Sequence, residues 1–103
     1  MNEIKRELIF TNAFLDDLIE IEKYIGRDNP KKGRLFTSKL YDYILGMIQT
    51  FPFANPQIAM YSEFMRKGIF QKHYIVVYEI TENTIDILRI YHTSRRTDDI
   101  VLK

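Results

Sequence analysis

Two runs of β-branched and aromatic residues, His73–Ile80 and Thr84–His92, are separated only by the polar triplet Thr81-Glu82-Asn83. Such residues favour extended backbone, and a short polar break lets the chain reverse, so this stretch predicts a β-hairpin. A hairpin alone is marginal in water and must pack a face on something else. The rest of the chain has to supply that partner.

The supply lies upstream. Glu3–Phe10 alternates, with Ile4, Leu8 and Phe10 on one parity beside Arg6, which predicts a strand. Thr11 or Asn12 can cap the helix that follows. Phe14, Leu18, Ile21 and Ile25 recur at helical spacing, with Ala13 and Tyr24 beside them, and Asp16, Asp17, Glu20 and Glu22 make the remaining surface acidic. Gly26 is a plausible stop, and Asn29-Pro30 restarts a helix, because proline loses nothing at the first helical position. Leu35, Phe36, Leu40, Tyr43, Ile44 and Met47 form the second apolar stripe, which ends at Phe51-Pro52. The short connection predicts an antiparallel helix pair. Phe53–Ser62 reads as a loop, and Glu63–Gln71 as a strand interrupted near Gly68. The tail, Thr93–Lys103, contains Asp98 and Asp99 and then Ile100, Val101 and Leu102, and predicts a short helix or an added strand.

The order is therefore β-α-α-β-β-β. It predicts an α+β fold in one domain spanning residues 1–103, with a helical hairpin on one face of an antiparallel sheet and a short C-terminal tail element. A chain of 103 residues with 46% hydrophobic and 28% charged content suits that. No apolar run approaches the ~20 residues that cross a bilayer, and no signal-peptide pattern opens the chain, so a cytoplasmic protein without membrane contact is expected.

The net charge of +1 excludes a globally basic nucleic-acid binder, so electrostatic function must come from local patches. Between Arg66 and Arg96 six Lys/Arg face three acids, Glu79, Glu82 and Asp86. Arg66, Lys72, Arg89, Arg95 and Arg96 are the candidate anion-binding side chains, since Arg offers a bidentate fork and Lys a point charge. His73, Tyr74, Tyr78, Tyr91 and His92 are candidates for stacking or proton transfer. Each also has a structural explanation: half-buried sheet tyrosines, solvated strand-end charges, a histidine bonded to backbone. With two histidines and no cysteine, neither a metal site nor a cofactor is expected, and no phosphate-binding glycine loop or nucleophile elbow occurs.

These pieces in this order resemble the RelE/ParE superfamily of bacterial toxins from type II toxin–antitoxin modules. The likeness rests on Ala13-x3-Asp17-Leu18-x2-Ile21-x2-Tyr24-Ile25, on Phe36-x3-Leu40-x3-Ile44-x6-Phe51-Pro52, on Arg66, and on the strands HYIVVYEI and IDILRIYHTSRR. The resemblance implies a compact toxin neutralised by a cognate antitoxin, with promoter DNA bound only through that antitoxin. Two activities divide the superfamily. ParE-like members inhibit DNA gyrase. RelE-like members are ribosome-dependent mRNA endonucleases.

On the nuclease reading His92 would move the proton while Arg66 and Arg96 hold the phosphate charge. Lys72, His73, Tyr74, Arg89, Tyr91 and Arg95 would bind the target, nucleic acid or antitoxin. This sequence departs from the RelE pattern, with Ile75 where an arginine is expected and no Lys or Arg from Phe51 to Phe64. It looks closer to the ParE branch and its plasmid-stabilisation relatives. A binding protein rather than an enzyme is the leading expectation; a degenerate member that only binds antitoxin is the remaining alternative.

Overall fold

A computed structural model describes residues 5–58 and 62–95. Its elements are β1 (Glu7–Phe10), α1 (Asn12–Ile25), α2 (Pro30–Tyr43) continuing into a π-type turn (Ile44–Ile48), β2 (Gln57–Ile58), β3 (Ser62–Phe70), β4 (Tyr74–Ile80) and β5 (Thr84–His92). The two helices pack on a five-stranded sheet of order β1-β5-β4-β3-β2. The expected α+β architecture and the β4–β5 hairpin are both present.

The sheet is mixed rather than wholly antiparallel. β1 runs parallel to β5, with Leu8 opposite Ile85 and Phe10 opposite Ile87. Parallel pairing needs a long crossover, and the helical hairpin is part of the long connection that allows it. β3 runs unbroken through Gly68, and the segment expected to be a loop contributes the two-residue edge strand β2.

Local chemistry sets the helix ends. Thr11 Oγ1 accepts the Phe14 N–H at 3.2 Å, and Asn29 Oδ1 accepts the Lys31 N–H at 3.1 Å. These side chains satisfy amides that have no partner within the helix. The Thr11 hydroxyl also lies 2.9 and 3.0 Å from the carbonyl oxygens of Ile87 and Leu88, which joins the start of α1 to the edge of β5.

Phe14 and Leu18 from α1, and Phe36, Leu40, Ile44 and Ile48 from α2 and its turn, bury against Val76, Tyr78, Ile80, Ile85, Ile87 and Ile90 of the sheet. Leu35 and Met47, expected on the second stripe, are instead 54% and 51% exposed. The inward residues of α2 are spaced by four, which drifts off an α-helical face. The π-type turn, with Gln49 N–H bonded to the Ile44 carbonyl at 2.8 Å, widens the helix and keeps Ile48 inward. Gly33 sits where the helices cross: a Cβ there would lie 2.5 Å from the Glu22 carbonyl oxygen.

A bulge in β5 divides the sheet's two faces. Val77 pairs with Arg89 and Tyr78 with Ile87, so Leu88 is the extra residue. Ile87 and Ile90 therefore join the helix-side core, while Leu88 and Tyr91 cluster with Ile58, Met65 and Val77 on the opposite face.

Candidate functional site

β4 and β5 end side by side, and their ends hold most of the sequence-predicted residues. Tyr74 pairs with His92, and the two rings meet edge to face at 5.3 Å. His73 stacks on His92 at 5.9 Å with nearly parallel planes. His92 Nδ1 lies 2.9 Å from Ser94 Oγ and accepts the Ser94 N–H at 3.1 Å. The chain then turns, with Arg95 N–H donating to the His92 carbonyl oxygen.

This end faces the C-terminal half of α1 across an open cleft of roughly 490 Å³, lined by Glu20, Ile21, Tyr24, Tyr74, His92 and Arg95 among others. Burial, and secondarily the nearby Tyr24, pushes the Tyr74 phenol above its ordinary range, so it stays protonated at neutral pH and can donate a hydrogen bond. His73, Tyr74, His92 and Arg95 are thus one cluster. Lys72 stands beside them at the exposed β3–β4 turn, where Gln71 and Lys72 both have positive φ (50° and 67°).

Arg66 is elsewhere. It pairs with Tyr78, four residues along β3 and two strands across from His92, about 16 Å by ordinary strand spacings. Its Nε donates to the Glu63 carbonyl at 2.8 Å, and its Nη1 donates to the carbonyls of Phe53 and Asn55 at 3.1 and 2.9 Å. Its guanidinium also lies over the Phe53 ring at 5.2 Å. Arg66 fastens the loop after α2 to β3.

Arg89 is likewise engaged. Its Nε and Nη2 donate to the two carboxylate oxygens of Asp17 at 2.6 and 2.8 Å. That hydrogen bond raises the Arg89 pKa, so its charge is permanent. Tyr91 is 2% exposed on the face away from the helices, because the bulge at Leu88 shifts the alternation of β5. Its buried ring has no open face on which a base could stack. Arg96, and the tail carrying Asp98 and Asp99, lie outside the described residues.

Tyr78 also differs from the half-buried sheet tyrosine expected of it. It is fully buried; its hydroxyl donates to the Pro52 carbonyl at 2.6 Å and accepts from Asn55 Nδ2 at 3.1 Å. Burial is the main reason its pKa, like that of neighbouring Tyr43, is raised. Among the described residues no group of three or more metal-ligating side chains forms, and no helix is long and apolar enough to cross a membrane.

The sequence profile described as "ParE toxin of type II toxin-antitoxin system, parDE" matches residues 8–97. The chain belongs to the ParE toxin family. No curated protein matches this ParE-family chain by sequence. Among solved structures, a chain of the "Chromosomal ParDE TA system from P. aeruginosa" is similar, with a TM-score of 0.71 at 15% identity, covering 87% of this chain and 98% of that one. At that identity the likeness concerns the fold.

Sequence reasoning did not foresee two partners in this ParE-family site. Asp17 is legible as one acid of an acidic helix and as a position of the family pattern, but nothing local points it at Arg89. Asn55 lay in a stretch without periodicity. Its amide joins the start of that stretch to Tyr78.

Proposed function

We propose that this ParE-family chain is a toxin that blocks DNA gyrase by binding it and is neutralised by a separately encoded antitoxin. The observation that carries the reading is the deployment of the sheet arginines. Arg66 is spent on three backbone carbonyls and Arg89 on Asp17, so neither presents a free guanidinium beside His92 for a phosphate. The catalytic grouping that RNA cleavage would require of His92 and Arg66 is thereby weakened, which favours binding over chemistry. The exposed Phe53 and Phe64 rings meet at 6.5 Å, with Leu45, Met47 and Phe51 exposed on the segment leading to them, and such a grouping supports a protein partner.

A second reading, ribosome-dependent mRNA cleavage, is favoured by one observation: His92, Tyr74 and Arg95 line the same cleft. Attack by the RNA's own 2′-hydroxyl would then use His92 as acid or base. Induced expression in bacteria, followed by a supercoiling assay and primer extension on mRNA, separates the two. Gyrase-linked DNA breaks with intact transcripts, and undiminished toxicity of His92→Ala, are expected. Cleavage at codon boundaries that His92→Ala abolishes would overturn the gyrase reading.

A further inference from the structure

The charge of this chain is unevenly placed. Between Lys23 and Lys39 stand six cations (Lys23, Arg27, Lys31, Lys32, Arg34 and Lys39) and one acid, Asp28. Six less one gives +5, so the remaining residues carry −4 in a chain of net charge +1. The segment is the end of α1, the turn and most of α2.

All six cations are exposed. The inward face of α2 is defined by Gly33, Phe36 and Leu40, and at 100° per residue Lys31, Arg34 and Lys39 fall on its outer half, around Leu35 and Ser38. Among the described residues none of the six is ion-paired; Arg27 only covers the Tyr24 ring, at 5.0 Å. Unpaired like charges on one surface repel one another and favour an anionic partner.

We propose that this outer face of the helical hairpin binds the phosphate backbone of duplex DNA without reading its sequence. The surface is the solvent side of two helices, with Lys31 and Lys39 about 12 Å apart along the axis, and a duplex offers one charge per ~1.7 Å. It consists of phosphate-type contacts. The one amide side chain in the segment, Asn29, is already used to cap α2, so no Asn or Gln is left for bidentate readout of adenine. An acidic protein segment would want an apolar anchor as well. Here the exposed apolar candidates are Leu35 and Tyr24 alone, and the Arg27 guanidinium lies over one face of the Tyr24 ring. The hollow at the edge, roughly 330 Å³ between Glu22, Lys23, Gly26, Pro30 and Arg34, is rimmed by Lys23 and Arg34 and is open to a phosphate.

Fluorescence anisotropy of the full chain with a labelled duplex of mixed sequence, titrated at several salt concentrations, tests this. Gyrase is absent from the assay, so its outcome is separate from that of the supercoiling experiment. Binding should be indifferent to sequence, and log affinity should fall against log salt with a slope of about −4 to −5. The combined variant Lys31→Gln, Lys32→Gln, Arg34→Gln, Lys39→Gln, checked for its fold by circular dichroism, should bind about tenfold or more weakly at low salt, with the slope reduced by about one per cation removed. Lys31→Arg, Lys32→Arg, Lys39→Arg should bind like the parent.

Lack of duplex binding, or an unchanged glutamine variant, overturns the proposal. So does loss of binding on Lys67→Gln with Arg95→Gln, which would place the contact on the sheet. If poly-glutamate binds more tightly than DNA and the glutamine variant loses that binding, the face is a dock for acidic protein and the DNA assignment fails.

Discussion

Asp17 and Arg89 stand 72 residues apart in the chain and meet in a two-pronged contact, with Arg89 Nε and Nη2 at 2.6 and 2.8 Å from the two carboxylate oxygens. Asp17 Oδ2 also accepts the Ile90 N–H at 3.2 Å. One carboxylate thus clamps α1 onto β5 just beyond the bulge. The Arg89 and Asp17 side chains are 18% and 15% exposed, so solvent weakens the pair without dissolving it.

Removing either partner takes away a two-pronged, charge-assisted contact between part-buried groups. Asp17→Ala or Arg89→Ala should each destabilise the fold by about 1–3 kcal/mol in urea unfolding. The double variant should lose less than the sum of the single ones, because either single change already breaks the contact that the second would remove. Additive losses would mean that the two residues do not interact.

Gly68 makes room for the Tyr43 hydroxyl, which a Cβ at this position would overlap, with Asn55 Nδ2 at 3.0 Å. The Tyr43 ring is held against Phe70 at 5.4 Å and cannot simply swing away. Gly68→Ala should therefore cost about 1–3 kcal/mol. Adding Tyr43→Phe removes the clashing oxygen and should recover part of that loss, although Tyr43→Phe alone stabilises nothing. Thermal unfolding of the three variants checks this.

The β3–β4 turn holds two non-glycine residues in the left-handed region, Gln71 and Lys72. Their Cβ atoms make that conformation costly. Gln71→Asn with Lys72→Gly matches what such a tight turn prefers, and should raise stability by about 0.5–1 kcal/mol. A fall in the unfolding midpoint would show that the Lys72 side chain contributes more than its backbone strain costs.

Tyr43, Tyr74 and Tyr78 all have phenol pKa values raised chiefly by burial. Above the ordinary value of about 10 the unfolded chain loses these protons while the native state still holds them. The native state then binds more protons than the unfolded one, so stability is whole below pH ~10 and falls as pH rises through the native values. Urea titrations across that range should show the decline, and Tyr78→Phe should lessen it. A flat profile would mean that the three hydroxyls ionise as freely as in the unfolded chain.

Much of this protein was legible in local patterns. Alternation and β-branching place β4 and β5 almost to the residue, and the Thr11 and Asn29-Pro30 caps place the helix starts, because these signals depend on neighbours only a few residues away. The crowding of six cations between Lys23 and Lys39 is also plain in the sequence. Only the tertiary structure decided what each charge and ring does. Arg66 and Arg89 read as free cations until folding brings them the loop carbonyls and Asp17, partners that no spacing rule connects to them. A single extra residue, Leu88, reverses the alternation of β5 and buries Tyr91 on the far face. Periodicity assigns the face of a residue only while the register holds, and a bulge is a property of two paired strands, which neither strand's sequence contains alone.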